Sequence, residues 1–244
     1  MNVTIYTKIK QNSKQIAILI DPDKKSINDI ETIVRIATQE KIDFIFVGGS
    51  LTNVNIDEVV LNIKKLTEIP VILFPGNLLQ ISHKADGILL LSLISGRNAE
   101  FLIGNHVIAA PFLKNSKLEI ISTGYMIVEG DSTTSVQYMS NTNPIPRNKP
   151  EIAVATAMAG EMLGLKTIYL EAGSGANSHI SLEMIREVKS NINIPLIVGG
   201  GIRTAESAKQ VCEAGADIIV IGTAFEKNPE LISEIRKVVN FNLK

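Results

Sequence analysis

The sequence predicts a (β/α)8 barrel, modified at one connection and built as a single domain over residues 1–244. Three observations carry that prediction. Apolar, β-branched runs alternate with helix-like patterns along the chain, which implies a parallel sheet. The 244 residues come close to the roughly 250 typical of this barrel. The last three strand-like runs, Thr167-Ile-Tyr-Leu170, Pro195-Leu-Ile-Val198 and Ile218-Ile-Val-Ile221, each lead into a glycine-rich turn. An open doubly wound sheet is the rival, but it carries its phosphate-binding glycines after the first strand rather than after the late ones.

The elements follow in order. The first strand is Gln15-Ile-Ala-Ile-Leu-Ile20, stopped by Asp21-Pro22. A helix then places Ile30, Ile33, Val34 and Ala37 on one face, with Ser26 or Asn28 as its N-cap. The second strand, Phe44-Ile-Phe-Val47, ends at Gly48-Gly49-Ser50 and leads to a helix over about Ile56 to Leu66. The third is Val71-Ile-Leu-Phe74 and the fourth Gly87-Ile-Leu-Leu-Leu91. Only residues 77–86 separate them, too few for a full crossover helix, so a shortened connection is expected there. A helix near Ala99 to Ala109 precedes strand five, Glu119 to Val128. The stretch 129–150 has no clear periodicity, and long loops in compact domains are usually functional. Pro150 opens an alanine-rich helix that runs to Gly164. After strands six to eight, Asn228-Pro229 starts a last amphipathic helix with Leu231, Ile232, Ile235 and Val238 inward.

Composition narrows the class. The chain is 45% hydrophobic and 5% aromatic, and its Ile, Leu and Val suit strands covered on both faces. The formal net charge of −1 gives no nucleic-acid footprint. The single cysteine, Cys212, reads as a small buried apolar residue. His83, His106 and His179 show no metal-ligand spacing and read as structural or surface residues. The N-terminus has no signal-peptide pattern, and the longest apolar stretch, 87–94, falls far short of the ~20 residues that span a bilayer. A cytoplasmic protein that does not span the membrane is expected.

Function in such a barrel gathers at the C-terminal ends of the strands. Glycine turns after strands six, seven and eight let main-chain N–H groups approach an anion, and the loops after strands seven and eight form the usual phosphate site. A phosphorylated ligand is therefore expected. Tyr169 and Glu171 are two apart in a strand, so both face the barrel mouth. A carboxylate there repels phosphate, which leaves a substrate hydroxyl for it to orient or deprotonate; a salt bridge inside the barrel is the structural alternative. Asp21 and Ser50 end the first two strands and offer hard oxygen ligands of the kind Mg2+ accepts, or else a turn residue and a helix cap. Asp23 reads as a cap or solvated charge, and Lys24 and Lys25 as surface charges. Arg203 can reach phosphate, and Arg147 and Lys149 can meet a diphosphate or remain solvated.

These residues resemble the geranylgeranylglyceryl phosphate synthase family, prenyltransferases on a modified (β/α)8 barrel. The resemblance rests on Leu19-Ile-Asp-Pro-Asp-Lys24, Val47-Gly-Gly-Ser50, Asn143-Pro-Ile-Pro-Arg-Asn-Lys-Pro-Glu151, Tyr169-Leu-Glu-Ala-Gly-Ser-Gly-Ala176, Val198-Gly-Gly-Gly-Ile-Arg203 and Gly222-Thr223, and covers nearly the whole chain. It implies transfer of a geranylgeranyl group from its diphosphate to sn-glycerol 1-phosphate, in ether lipid biosynthesis. It implies Mg2+ on Asp21 and Ser50. It implies a glycerol phosphate site made by Tyr169, Leu170, Glu171, Ala172, Gly173, Ser174, Gly175, Gly200, Gly201, Gly222 and Thr223, with Tyr169 and Glu171 as the catalytic pair. Small-molecule partners and a homo-oligomer follow from the same likeness. A bacterial branch that takes a heptaprenyl donor tends to carry Lys where this chain has Leu19, which points to the geranylgeranyl branch. The alternatives are a heptaprenyl donor, a phosphosugar isomerase or lyase on the same barrel, and a phosphate-ligand sensor without catalysis.

Overall fold

The computed structural model describes residues 4–11, 13–222, 225 and 230–240. Eight parallel strands close into a barrel: β1 (Gln15–Ile20), β2 (Phe44–Val47), β3 (Val71–Leu73), β4 (Gly87–Leu93), β5 (Glu119–Ile127), β6 (Thr167–Glu171), β7 (Leu196–Gly199) and β8 (Ile218–Ile221). β8 pairs back onto β1, Gln15 opposite Ile218, so the sheet has no open edge. Alternation along each strand divides the core in two. Ala17, Phe44, Phe46, Ile72, Leu89, Ile121, Ile197 and Ile218 fill the interior. Their neighbours, such as Ile16, Ile18, Ile45 and Ile219, pack outward against the helices.

Those helices are α1 (Ile5–Ile9), α2 (Ile27–Gln39), α3 (Ile56–Lys64), α4 (Asn105–Lys114), α5 (Ser135–Ser140), α6 (Pro150–Met162), α7 (Leu182–Asn191), α8 (Ala205–Glu213) and α9 (Leu231–Asn240). Ser26, not Asn28, caps α2, in a reciprocal capping box with Asp29. The expected start of the last helix, Asn228-Pro229, lies outside the described residues. Two short helices were not expected from periodicity. α1 closes the bottom of the barrel: Ile5 and Ile9 join the interior cluster, and the Glu119 carboxylate accepts the N–H groups of Ile5 and Tyr6 at 2.6 and 2.8 Å. α5 lies within the aperiodic stretch and starts at Thr134, whose side chain accepts the Gln137 N–H. The helix expected near 99–109 begins as a wider π-type turn, Glu100–Gly104, before α4.

One connection departs from the repeating pattern, as the sequence predicts. Between β3 and β4 the chain makes a single 3-10 turn, Leu78–Gln80, and no α-helix. β3 and β4 pair over only Ile72↔Gly87 and Leu73↔Ile88, whereas β4 and β5 pair from Gly87↔Glu119 to Leu93↔Tyr125. The link between β3 and β4 therefore supplies no α-helix to pack beside β4.

Candidate active site

A cavity of about 1160 Å3 opens at the C-terminal end of the barrel. It joins three kinds of surface: glycine-rich turns after β6, β7 and β8, a carboxylate floor, and an apolar wall around β3 and β4.

The turns come together as the sequence predicts. Ser174, Gly175, Gly200, Gly201 and Gly222 all line the cavity. Gly200 has φ +83°, and a β-carbon there would lie 2.8 Å from both Glu171 Oε1 and the Gly173 nitrogen. Only glycine fits that conformation and that space. Arg203, also on the wall, donates from a terminal guanidinium nitrogen to the Gly175 carbonyl at 2.9 Å, tying the β7 turn to the β6 turn.

Tyr169 and Glu171 face inward as expected. Glu171 is 6% exposed, and its Oε1 accepts the Gly173 N–H at 2.7 Å. Burial raises its carboxyl above the usual carboxylate range, opposed by that N–H and by the phenols of Tyr169 and Tyr125. Burial and the adjacent carboxylate hold both phenols well above their ordinary value, so both stay protonated. Their rings cluster in the barrel throat with Phe74: Tyr169 stacks on Phe74 at 5.2 Å, centroid to centroid, and Tyr125 lies tilted 5.3 Å from Tyr169 and edge-on to Phe74. The Tyr169 hydroxyl is buried and meets no partner at hydrogen-bond geometry; its influence on Glu171 is therefore one of proximity. An unpartnered donor beside a carboxylate suits a ligand hydroxyl or phosphate oxygen.

Across the cavity stand Asp21 and Ser50. A β-carbon on Gly49 would lie 2.7 Å from Asp21 Oδ1, so the β2 turn closes directly onto this carboxylate. Asp21 Oδ1 is buried without a hydrogen-bond partner, while Oδ2 pairs with Lys24 Nζ at 2.6 Å. One carboxylate and one hydroxyl suit Mg2+, which binds through one or two carboxylates and leaves its other positions to phosphate oxygens and water. The orphaned Oδ1 fits that role. The Gly48-Gly49 turn that leads to Ser50 is held by a residue the sequence reading missed. Gln80, 1% exposed, accepts the N–H groups of Gly49 and Gly76 at 3.3 and 3.1 Å and donates to the Gly49 carbonyl at 2.6 Å. In sequence it is one polar residue in a loop; its burial depends on the absence of a helix between β3 and β4.

That absence also makes the apolar wall. Leu91 and Leu93 point into the barrel, yet Ile88 and Leu90, from the outer face of β4, line the same cavity. The groove runs from the mouth over β4 to its outer side, roofed by Leu78 and Ile81 of the short connection and by Ala109 and Leu113 of α4. Val136 and Met139 of α5 add to the wall.

Some expected residues sit elsewhere. The side chains of Leu170 and Ala172 pack into the outer core, so only their main chain can serve a ligand. Gly173 commits its N–H to Glu171. Thr223 lies outside the described residues. His106, expected as structural or surface, lines the groove, its Nε2 3.4 Å from Ser92 Oγ. Lys24, expected as a surface charge, also lines the cavity. Arg147 does not; it donates to the His179 carbonyl and clamps the β6–α7 loop, and Lys149 pairs with Glu151 at 3.6 Å.

Comparison with known proteins bears on this geometry. Residues 8–240 match the PcrB family. The geranylgeranylglyceryl phosphate synthase of Chitinophaga pinensis is 53% identical over 93% of this chain and 90% of that protein. That of Spirosoma linguale is 51% identical over 93% and 91%. Among solved structures, (S)-3-O-geranylgeranylglyceryl phosphate synthase from Thermoplasma acidophilum, in complex with its substrate sn-glycerol-1-phosphate, superposes with a TM-score of 0.91 at 37% identity, covering 97% of this chain and 98% of that one. On sequence and on structure alike, the chain belongs to the PcrB family, alongside the geranylgeranylglyceryl phosphate synthases.

Proposed function

We propose that this protein joins sn-glycerol 1-phosphate to geranylgeranyl diphosphate, releasing diphosphate and forming (S)-3-O-geranylgeranylglyceryl phosphate. One observation carries the reading: a single cavity holds a main-chain anion cradle, a buried acid and a long apolar groove, with the acid at their junction.

In this reading, the turns at Ser174, Gly175, Gly200, Gly201 and Gly222 bind the phosphate of the glycerol substrate through main-chain N–H groups. The ligand is then pinned at one end, and its 3-hydroxyl is presented to Glu171. The prenyl chain lies along Leu91, Leu90, Ile88, Ala109 and Leu113. The bond between the allylic carbon and the diphosphate oxygen breaks, and the diphosphate leaves with the electron pair. The 3-hydroxyl oxygen bonds to that carbon, and its proton passes to the Glu171 carboxylate, whose raised affinity for protons makes it a better base. Tyr169 donates from its free hydroxyl to hold the glycerol in line. Mg2+, held by Asp21 and Ser50, would supply positive charge where the leaving diphosphate gains negative charge. The dry apolar wall keeps water from the electron-poor carbon, and much of the rate comes from positioning.

Exposed apolar side chains on α4, Val107 and Phe112 among them, support assembly as a homo-oligomer. Among the described residues no helix is long and apolar enough to cross a membrane. Cys212, buried with its thiol pushed up to about 12, needs no oxidising compartment, in keeping with a cytoplasmic enzyme.

The test is direct. The protein is incubated with farnesyl, geranylgeranyl and heptaprenyl diphosphates and each enantiomer of glycerol phosphate, with Mg2+ or with a chelator, and products are identified by mass. The expected result is the geranylgeranyl ether of sn-glycerol 1-phosphate, formed with Mg2+ and lost on chelation. Release of diphosphate without an ether product, or an equal yield from both enantiomers, overturns the reading.

A further inference from the structure

Lys24 ends the 3-10 turn Pro22–Lys24 that follows β1, three residues from Asp21. Its Nζ lies 2.6 Å from Asp21 Oδ2, and the two side chains differ sharply in exposure: 57% for Lys24 against 16% for Asp21. The pairing is lopsided. One carboxylate oxygen has the ammonium, while the other, Oδ1, is buried and has no partner. Asp23, next to them, commits its carboxylate to the Asn53 N–H at 3.1 and 3.2 Å and does not compete for the ammonium. Lys24, Asp21 and Asp23 all line the cavity described above.

Two cations cannot share Asp21 without repelling each other, because like charges a few ångströms apart at a partly desolvated site interact strongly. Asp21 has little room on its Gly49 side, where an added β-carbon would lie 2.7 Å from Oδ1. Lys24 has a flexible four-carbon stem, more than half in solvent, and can leave without any backbone movement. A released ammonium on the cavity wall next meets the anion that arrives with the divalent cation.

We propose that Lys24 occupies Asp21 in the resting enzyme, is displaced from it by the divalent cation, and transfers its hydrogen bond to the donor's diphosphate. The proposal rests on the reading of Asp21 as a cation ligand and deepens it. Lys24 suppresses cation binding when no donor is present and rewards it when donor is present. Cation and diphosphate therefore bind with positive coupling, and by linkage each tightens the other equally. An ordinary surface ion pair produces neither effect.

The test uses Mn2+ as a probe, with the free hexaaqua ion counted by electron paramagnetic resonance as it is titrated into the full-length protein without donor. Four proteins are compared: wild type, Lys24→Met, Lys24→Arg and Asp21→Asn, each first checked for an unchanged melting temperature or circular dichroism spectrum. Lys24→Met is expected to bind Mn2+ about threefold to fivefold more tightly, because a competing charge is gone. Its KM for geranylgeranyl diphosphate is expected to rise about tenfold, because one charge-assisted hydrogen bond to diphosphate is lost. Lys24→Arg retains a charge and is expected to show smaller changes of the same two signs. The opposite directions in one variant are the signature. Mn2+ affinity in Lys24→Met that is equal to or weaker than wild type overturns the exchange, as does an unchanged KM for the donor. The two failures can be told apart. If Asp21→Asn binds Mn2+ as wild type does, the cation site itself is misplaced. If Asp21→Asn loses binding while Lys24→Met matches wild type, the cation site stands and only the exchange is wrong.

Discussion

The rim of this barrel is made of two materials. Around β6, β7 and β8 the surface is main chain, shaped by glycines and stapled by Arg203 to the Gly175 carbonyl. Around β3 and β4 it is side chain: Leu90, Leu91 and Ile88, with Gln80 tying the neighbouring loops together. In the function proposed above, the first region recognises charge by geometry that almost no substitution can mimic. The second then recognises hydrocarbon by area, where many substitutions are tolerated and each costs a graded amount. Damage to one half should abolish binding or chemistry, whereas damage to the other should alter preference.

The junction offers the largest effect. Glu171→Gln should lower kcat by about 10²–10⁴-fold with little change in the KM for glycerol phosphate, the range expected when a proton-transfer group is lost. Because burial raises the Glu171 carboxyl, the acid limb of kcat/KM should lie above the ordinary carboxylate range and disappear in the variant. The same shift has a stability consequence. A carboxyl raised in the folded state contributes stability that is present below its unfolded value and lost as pH rises through the folded one. Glu171→Gln should therefore melt higher than wild type near about pH 8, and the gap should close in acid. A variant that melts lower at both pH values would refute the claim that this carboxylate is held at a cost.

Next comes the cradle. Gly200→Ala forces a side chain into φ +83° and against Glu171 Oε1. Strain of about 1–3 kcal/mol should appear as roughly a 10- to 100-fold rise in the KM for glycerol phosphate, measured by initial rates. On the other half, Gln80→Leu removes the acceptor of two half-buried loop N–H groups, which water can partly satisfy, and should cost about 0.5–1.5 kcal/mol in denaturant unfolding. The smallest effect is expected in the groove. Ala109→Leu adds bulk to the apolar wall, and should weaken use of the geranylgeranyl donor by about tenfold or less while sparing farnesyl diphosphate, in competition between the two.

The two halves also differed in how far the sequence revealed them. The glycine turns were readable because each replaces a side chain that no other arrangement would forbid, and because each follows a β-branched run. The short link between β3 and β4 was readable for an equally local reason, a residue count, whereas the cap of α2 was narrowed only to Ser26 or Asn28. The groove was not. Alternation along β4 tells inward Leu91 from outward Leu90, but an outward leucine normally meets a helix, and nothing in its own neighbourhood says that no helix comes. Gln80 resembled a solvated loop residue for the same reason. Lys24 was taken for surface because its partner is set by the turn of Pro22–Lys24 rather than by any pattern in charge. α1 spans too few residues for periodicity to register, and what fixes it is Glu119, more than a hundred positions away. The barrel itself and the local chemistry were visible; the long-range contacts that place Gln80, Lys24 and α1 were not.

The missing helix between β3 and β4 has one more meaning. In a standard barrel each strand is shielded by the chain's own helix; in the function proposed above, the donor's hydrocarbon takes part of that post for the length of each turnover. Letting the product go reopens an oily seam to water, so departure is easiest where another oily phase waits to receive the tail. A protein with no spanning helix among its described residues would in this way be drawn to hand its cargo over at a bilayer's edge.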